Sequence, residues 1–228
     1  MKVKAITLPV QEWTKALGVT VLTAGSRAAK SSLQAHYRSV FLRQTTKYLD
    51  VVATTGSWLT RWRTPPGPDS GKTSLQCQCL LDLASAKRML RDAKECHGVY
   101  RRKRKADRGP SDLDMTVYPE SPDGPVYVHH LGTGRLEAVG ESPFWTENYE
   151  KVLKDLTPER DHDLESLAVG IGRMADICKI LAAAMGKSPA AAYREGMLVK
   201  RGSSAEAGLE ITLKDEPRLT IILMPMRV

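Results

Sequence analysis

From Ser26 to Ala53 the apolar residues Ala29, Leu33, Tyr37, Val40, Phe41, Tyr48 and Val52 recur mostly at three- and four-residue steps. That spacing predicts an amphipathic helix over 26–53, with Ser26 placed to cap its start. Gly56 breaks the pattern, and residues 54–73, rich in Pro and Gly towards their end, predict a loop or extended arm. Leu75, Cys79, Leu83, Ala86, Leu90 and Ala93 then share a face and predict a second helix over 74–97. Residues 101–125 combine a basic run with prolines and predict a linker.

Beyond the linker the pattern changes. VYVHHL at 126–131 predicts a strand, and WTENYEKVLKDL at 145–156 a helix carrying Tyr149, Val152, Leu153 and Leu156 on one face. DLESLAVGIG predicts a strand running into a glycine turn, followed by a helix over 173–186 that ends at Gly186. LEITL and LTIIL flank Asp215-Glu216-Pro217 and predict a closing hairpin. The expected class is therefore α+β. Residues 1–100 form a basic helical region with an extended arm, 101–125 a linker, and 126–228 a β-α-β-α-β-β domain.

Charge sharpens this division. The formal net charge is +8, with 21 Lys/Arg against 7 Asp/Glu in residues 1–110 and 13 against 19 in residues 111–228. A polyanion would thus be met by the first half. No apolar run approaches the ~20 residues that a membrane span needs, and the start lacks the apolar core of a signal peptide. Residues 1–47 carry eight Lys/Arg and one acid, Glu12, a bias that resembles an organellar targeting segment and leads us to expect a mitochondrial location.

Arg101, Arg102, Lys103, Arg104 and Lys105, with Arg108, make the densest charge in the chain, a run that phosphates would neutralise. Trp58, Arg61, Trp62 and Arg63 interleave aromatic faces with guanidinium groups, a pattern suited to unpaired bases. Other chemistry is less well supported. Gly67-Pro68-Asp69-Ser70-Gly71-Lys72-Thr73 is one residue short of a phosphate-binding loop and follows no buried strand. Cys77, Cys79, Cys96 and Cys178 lack zinc-ligand spacing and are expected as reduced thiols. His129, His130, Asp161, His162 and Asp163 match no hydrolase or metalloprotease pattern, so no enzyme, metal or cofactor is expected.

Two resemblances accompany these patterns. LAVGIGRMADICKILAAAMGK (167–187) and GLEITLKDEPRLTIILMP resemble the strand-glycine-helix element and final hairpin of Alba-type nucleic-acid-binding proteins and of the C-terminal domain of translation initiation factor three. That resemblance implies a nucleic-acid contact at Arg173, beside Gly172. SLQAHYRSVFLR (32–43) resembles the tyrosine-arginine motif of the LYR family of mitochondrial accessory subunits, with Tyr37-Arg38 at its centre. The expected function is a non-catalytic structural RNA-binding component of a large ribonucleoprotein, a mitochondrial ribosome, in contact with rRNA and neighbouring proteins. The alternative is an LYR-like accessory subunit of a respiratory-chain or ATP-synthase complex.

Overall fold

The computed structural model of the chain describes residues 5–26, 35–45, 47–65, 77–102, 114–121, 124–137, 171–188, 197–201 and 208–223. The class is α+β, as expected, and the described elements are built from a recurring unit of one leading strand, one helix and three further strands. In the first unit β1 (Ile6–Pro9) runs into α1 (Val10–Ala24), and a 3-10 turn (Ala35–Arg38) leads to β2 (Ser39–Gln44), β3 (Leu49–Thr54) and β4 (Trp58–Thr64). In the second, β5 (Cys77–Asp82) runs into α2 (Leu83–Arg102), followed by β6 (Asp114–Tyr118), β7 (Val126–His129) and β8 (Gly132–Arg135). A third helix and strand trio follow: α3 (Ile171–Ala184), β9 (Met197–Arg201), β10 (Leu209–Leu213) and β11 (Glu216–Leu223).

The first two units exchange their leading strands. β1 pairs antiparallel with β6, and β5 pairs antiparallel with β2, so neither leading strand touches its own trio. The result is an interlocked pair of units related by a pseudo-two-fold. One sheet has the order β1-β6-β7-β8, and the other is seven-stranded, β5-β2-β3-β4-β11-β10-β9. The seven-stranded sheet arises because β4 pairs antiparallel with β11, from Leu219 opposite Trp62 to Leu223 opposite Trp58. Strands from both sides of residues 101–125 thus share one sheet.

Several elements differ from expectation. Residues 26–53 contain the 3-10 turn, β2 and β3 in place of a long helix. Val40-Phe41-Leu42 and Val51-Val52-Ala53 are unbroken apolar runs, buried on both faces of the sheet, and β-branched residues suit that setting. The arm expected over 54–73 contains β4, an interior strand of the sheet. The helix expected from residue 74 begins at Leu83, because Cys77–Asp82 pairs with β2. Asp82 caps it, accepting from Ser85 N at 2.8 Å and Ala84 N at 3.2 Å. The stretch read as a linker holds the end of α2 and all of β6. The strand at 126–131, the helix at 173–186 and the closing hairpin correspond to β7, α3 and β10–β11. The helix expected over 145–156, and DLESLAVGIG up to Gly170, lie outside the described residues.

The sequence reading assigned no element to 6–24, yet α1 is the centre of the molecule. Trp13, Ala16, Leu17 and Val19 are fully buried, and α1 packs against both α2 and α3. Its buried threonines satisfy themselves: Thr20 Oγ1 donates to Ala16 O at 2.8 Å, and Thr23 Oγ1 bonds Thr60 Oγ1 at 2.7 Å. Trp13 Nε1 donates to Met115 O at 2.8 Å and ties α1 to β6. Charge holds α1 to the third unit. Arg218 on β11 bonds the carboxylates of both Glu12 and Glu216, and Lys15 Nζ meets Glu216 Oε2 at 3.0 Å. Both cations lie over the buried Trp62 ring, at 5.1 Å for Arg218 and 5.9 Å for Lys15. Burial works to raise the Glu216 pKa, but its bonds from Arg218 and Lys15 outweigh that and hold it below the ordinary value.

One glycine is required by a neighbour. Gly134 sits opposite Tyr127 in the β7–β8 ladder, and a Cβ there would lie 2.1 Å from the Tyr127 ring. Gly134→Ala should lower stability by about 1–3 kcal/mol, read as a reduced melting temperature. Gly18, a helix-interior glycine with nothing within 4 Å of a Cβ, is the control. Its alanine variant should melt higher.

Candidate nucleic-acid interface

The three helices lie side by side on one face of the seven-stranded sheet. Their inward residues, among them Trp13, Leu17, Ala86, Met89, Ala93, Ile177 and Leu181, share one core cluster with Val40, Leu42, Val51, Trp62 and Ile221 of the strands. α1 is in the middle, flanked by α2 and α3. The outward surface of this helix layer is open to solvent.

α2 makes that surface basic. Ser85, Ala86, Met89, Ala93 and Cys96 are buried, while Lys87, Arg88, Arg91, Lys94, Arg101 and Arg102 are exposed. Lys87, Arg91, Lys94 and Arg101 follow four-, three- and seven-residue steps, which places them in one stripe about 21 Å long at ~1.5 Å rise per residue. Of the acids on α2, Asp92 is turned towards the sheet, where it accepts from the buried Tyr127 hydroxyl, leaving Glu95 beside the stripe. The Arg91–Asp92 ion pair, 3.3 Å long with Arg91 at 74% exposure, does little to neutralise it. α1 adds Lys15 to the layer, and α3 adds Arg173 in its first turn and Lys179, the latter 3.0 Å from Asp176.

The residues singled out from sequence are placed differently from one another. Trp58 and Trp62 are buried on the helix side of β4, with 1% and 0% exposure, and present no face for stacking. Arg61 and Arg63 point to the opposite face of the same strand. Arg63 makes a bidentate pair with the fully buried Asp50, both bonds 2.7 Å, and its guanidinium stacks 3.6 Å over Tyr48. Arg61 Nη2 donates to Thr220 Oγ1 at 3.1 Å. The interleaving of Trp and Arg is the two-residue period of a strand. Arg101 and Arg102 end α2 on the exposed surface; Lys103, Arg104, Lys105 and Arg108 lie outside the described residues. Lys87, Arg88, Arg91 and Lys94 were not singled out from the sequence. Their signal was present as the polar complement of the apolar face of α2.

The thiols of Cys77, Cys79 and Cys96 are buried. Cys79 is pushed up to about 12 by burial and by neighbouring Cys77, so it stays protonated. Cys96 Sγ lies 3.2 Å from His129 Nδ1, and burial raises that thiol to about 11. Among the described residues no group of His, Cys, Asp or Glu is arranged to hold a metal ion. No helix there is long and apolar enough to cross a membrane.

No protein-family model matches the sequence, and no curated protein matches it. Solved structures do. The DNA polymerase III beta subunit of Thermotoga maritima superposes with a TM-score of 0.60 over 98% of this chain at 9% identity. The DNA polymerase sliding clamp of Pseudomonas aeruginosa gives 0.60 over 99% at 10% identity, and that of Bacillus subtilis 0.57 over 100% at 11%. The chain spans about two thirds of each of these proteins: 65%, 67% and 66% of their lengths in that order.

These matches overturn the resemblances drawn from sequence. The third unit is not an independent Alba-like or initiation-factor domain, because its hairpin continues the sheet of the first unit through β4. Tyr37-Arg38 occupies a 3-10 turn that leads into a strand, where an LYR protein would have a long helix. The ribosomal, rRNA-binding and respiratory-subunit readings fall with them. The exchanged leading strands, the sheet continued between units and the single layer of helices give this chain the fold of the DNA polymerase sliding clamps.

Proposed function

We propose that the chain is a non-catalytic, clamp-type accessory protein that holds duplex DNA against its helix layer for a DNA polymerase. The observation that carries this reading is the exposed Lys87–Arg91–Lys94–Arg101 stripe on α2, set in a sliding-clamp fold. Lysine and arginine on one helix face meet phosphates, which repeat identically along any duplex, and such contacts position a protein without reading sequence. α2 exposes no Asn or Gln with which to read adenine. A surface of this kind binds and slides, since moving by one base pair exchanges equivalent phosphates.

The test is fluorescence anisotropy of a labelled mixed-sequence duplex titrated with the full chain at several salt concentrations. Binding that is indifferent to sequence, and whose log affinity falls linearly with log salt, is expected. Absence of duplex binding at 50 mM salt would sink the reading.

A further inference from the structure

The second half of α2 is fastened to the four-stranded sheet through a polar cluster. Tyr127 and His129 alternate with the exposed Val128 along β7, so both face the helix, and their rings stack 5.7 Å apart with 22° between their planes. Tyr127 donates to Asp92 on α2, and one turn later Cys96 Sγ lies 3.2 Å from His129 Nδ1. The amide of Leu131, in the β7–β8 turn, donates to that same nitrogen at 3.2 Å. His129 Nδ1 thus joins helix, strand and turn.

These bonds fix where the imidazole proton sits. A backbone N–H only donates, so Nδ1 is an acceptor and the neutral ring carries its hydrogen on Nε2. Burial keeps the Cys96 thiol protonated, and its S–H is a second donor to Nδ1. A proton added at Nδ1 would set one N–H against another. The amide cannot become an acceptor, and sulfur is a weak one, so the junction is lost.

The groups around the ring decide when this happens. α2 faces His129 with the carboxylates of Asp92 and Glu95, which favour the charged form, while His130 on its other side opposes it. Asp92 is already engaged by Tyr127 and Arg91. β6 and β8 bring Met115 and Gly132 into register with His129, and neither titrates. Burial is the largest influence and holds His129 below the ordinary histidine value of 6.5. Well above that value the packing is indifferent to pH. As the pH falls through it, the opened state takes up the proton first and the closed state weakens.

We propose that His129 is an acid-released latch: proton uptake at Nδ1 breaks its bonds from Leu131 and Cys96 and frees the second half of α2 from β7 and the β7–β8 turn. The inference concerns the packing of the helix and makes no use of the DNA reading.

Long-range proton–nitrogen correlation spectra of the full chain, without DNA, report both tautomer and titration. At neutral pH the His129 ring should carry its proton on Nε2, and its titration midpoint should fall below 6.5. Through that titration, the amides of Leu131 and of residues 93–97 should lose protection against hydrogen exchange. His129→Asn puts a non-titrating acceptor in the place of Nδ1 and should abolish the acid-induced loss at those amides. Cys96→Val, which cuts the bond from α2 alone, should preserve the Leu131 response and remove that of the helix. A proton on Nδ1 at neutral pH, or a midpoint at or above the ordinary histidine value, overturns the proposal. So does helix protection in the wild type that ignores the His129 titration, or a His129→Asn variant that keeps the wild-type loss.

Discussion

Replacing Lys87, Arg91, Lys94 and Arg101 with alanine should flatten the dependence of log duplex affinity on log salt by about 3 to 4, since each phosphate contact contributes ~0.9 to the slope. At 100 mM salt the affinity should fall about a hundredfold or more, and equally for all sequences. All four side chains project from the exposed face of α2, whose folding contacts lie at Ala86, Met89, Ala93 and Cys96, so the melting temperature should barely move. Lys47→Ala, at an exposed position outside the helix layer, is the control and should change the slope by one at most. A quadruple variant that keeps the wild-type slope would move the DNA surface away from α2.

Arg63→Ala should be among the most destabilising single substitutions in the chain, at about 3 kcal/mol in chemical denaturation. Asp50 has no exposed surface and takes both guanidinium bonds from Arg63. Truncating the arginine removes both of its bonds to the buried carboxylate, and breaking a fully buried pair costs roughly 3–5 kcal/mol. The Arg63 side chain is 37% exposed, so water can reach the site and the lower end applies. Arg63→Met combined with Asp50→Leu should recover most of the loss, because it removes the charge along with its partner. If the single variant costs less than the double, Asp50 is solvated and the pair does not matter. DNA binding should be unaffected in either variant, since Asp50 and Arg63 lie on the face of the sheet away from the helices.

The Arg63 result bears on how much the residues disclosed unaided. Trp58, Arg61, Trp62 and Arg63 were legible as a pattern, but the same alternation arises from stacking surfaces on an arm and from a strand with a core side and an outer side. Pairing decides between them, and the partners of β4 are Leu49–Thr54 and Leu219–Leu223, the latter far away in sequence. Residues 39–54 show the same ambiguity. Apolar residues that recur at helical steps also form unbroken runs for a strand buried on both faces. The closing hairpin and α3 were readable because their signals are local: a turn between alternating segments, and a one-sided apolar helix ended by Gly186.

By itself the sequence determined that the protein is α+β, that its basic charge is concentrated in the first half, and where the last helix and hairpin lie. Composition and short-range periodicity carry those properties, and they survive any topology. Only the tertiary structure decided which cations share a surface. It committed Arg63 to Asp50, buried both tryptophans, and brought Lys87, Arg91, Lys94 and Arg101 out on one helix face. The exchange of leading strands and the junction of β4 with β11 rest on backbone hydrogen bonds between segments far apart in sequence. Any extended residue can make such bonds, so their partners leave no trace in residue type.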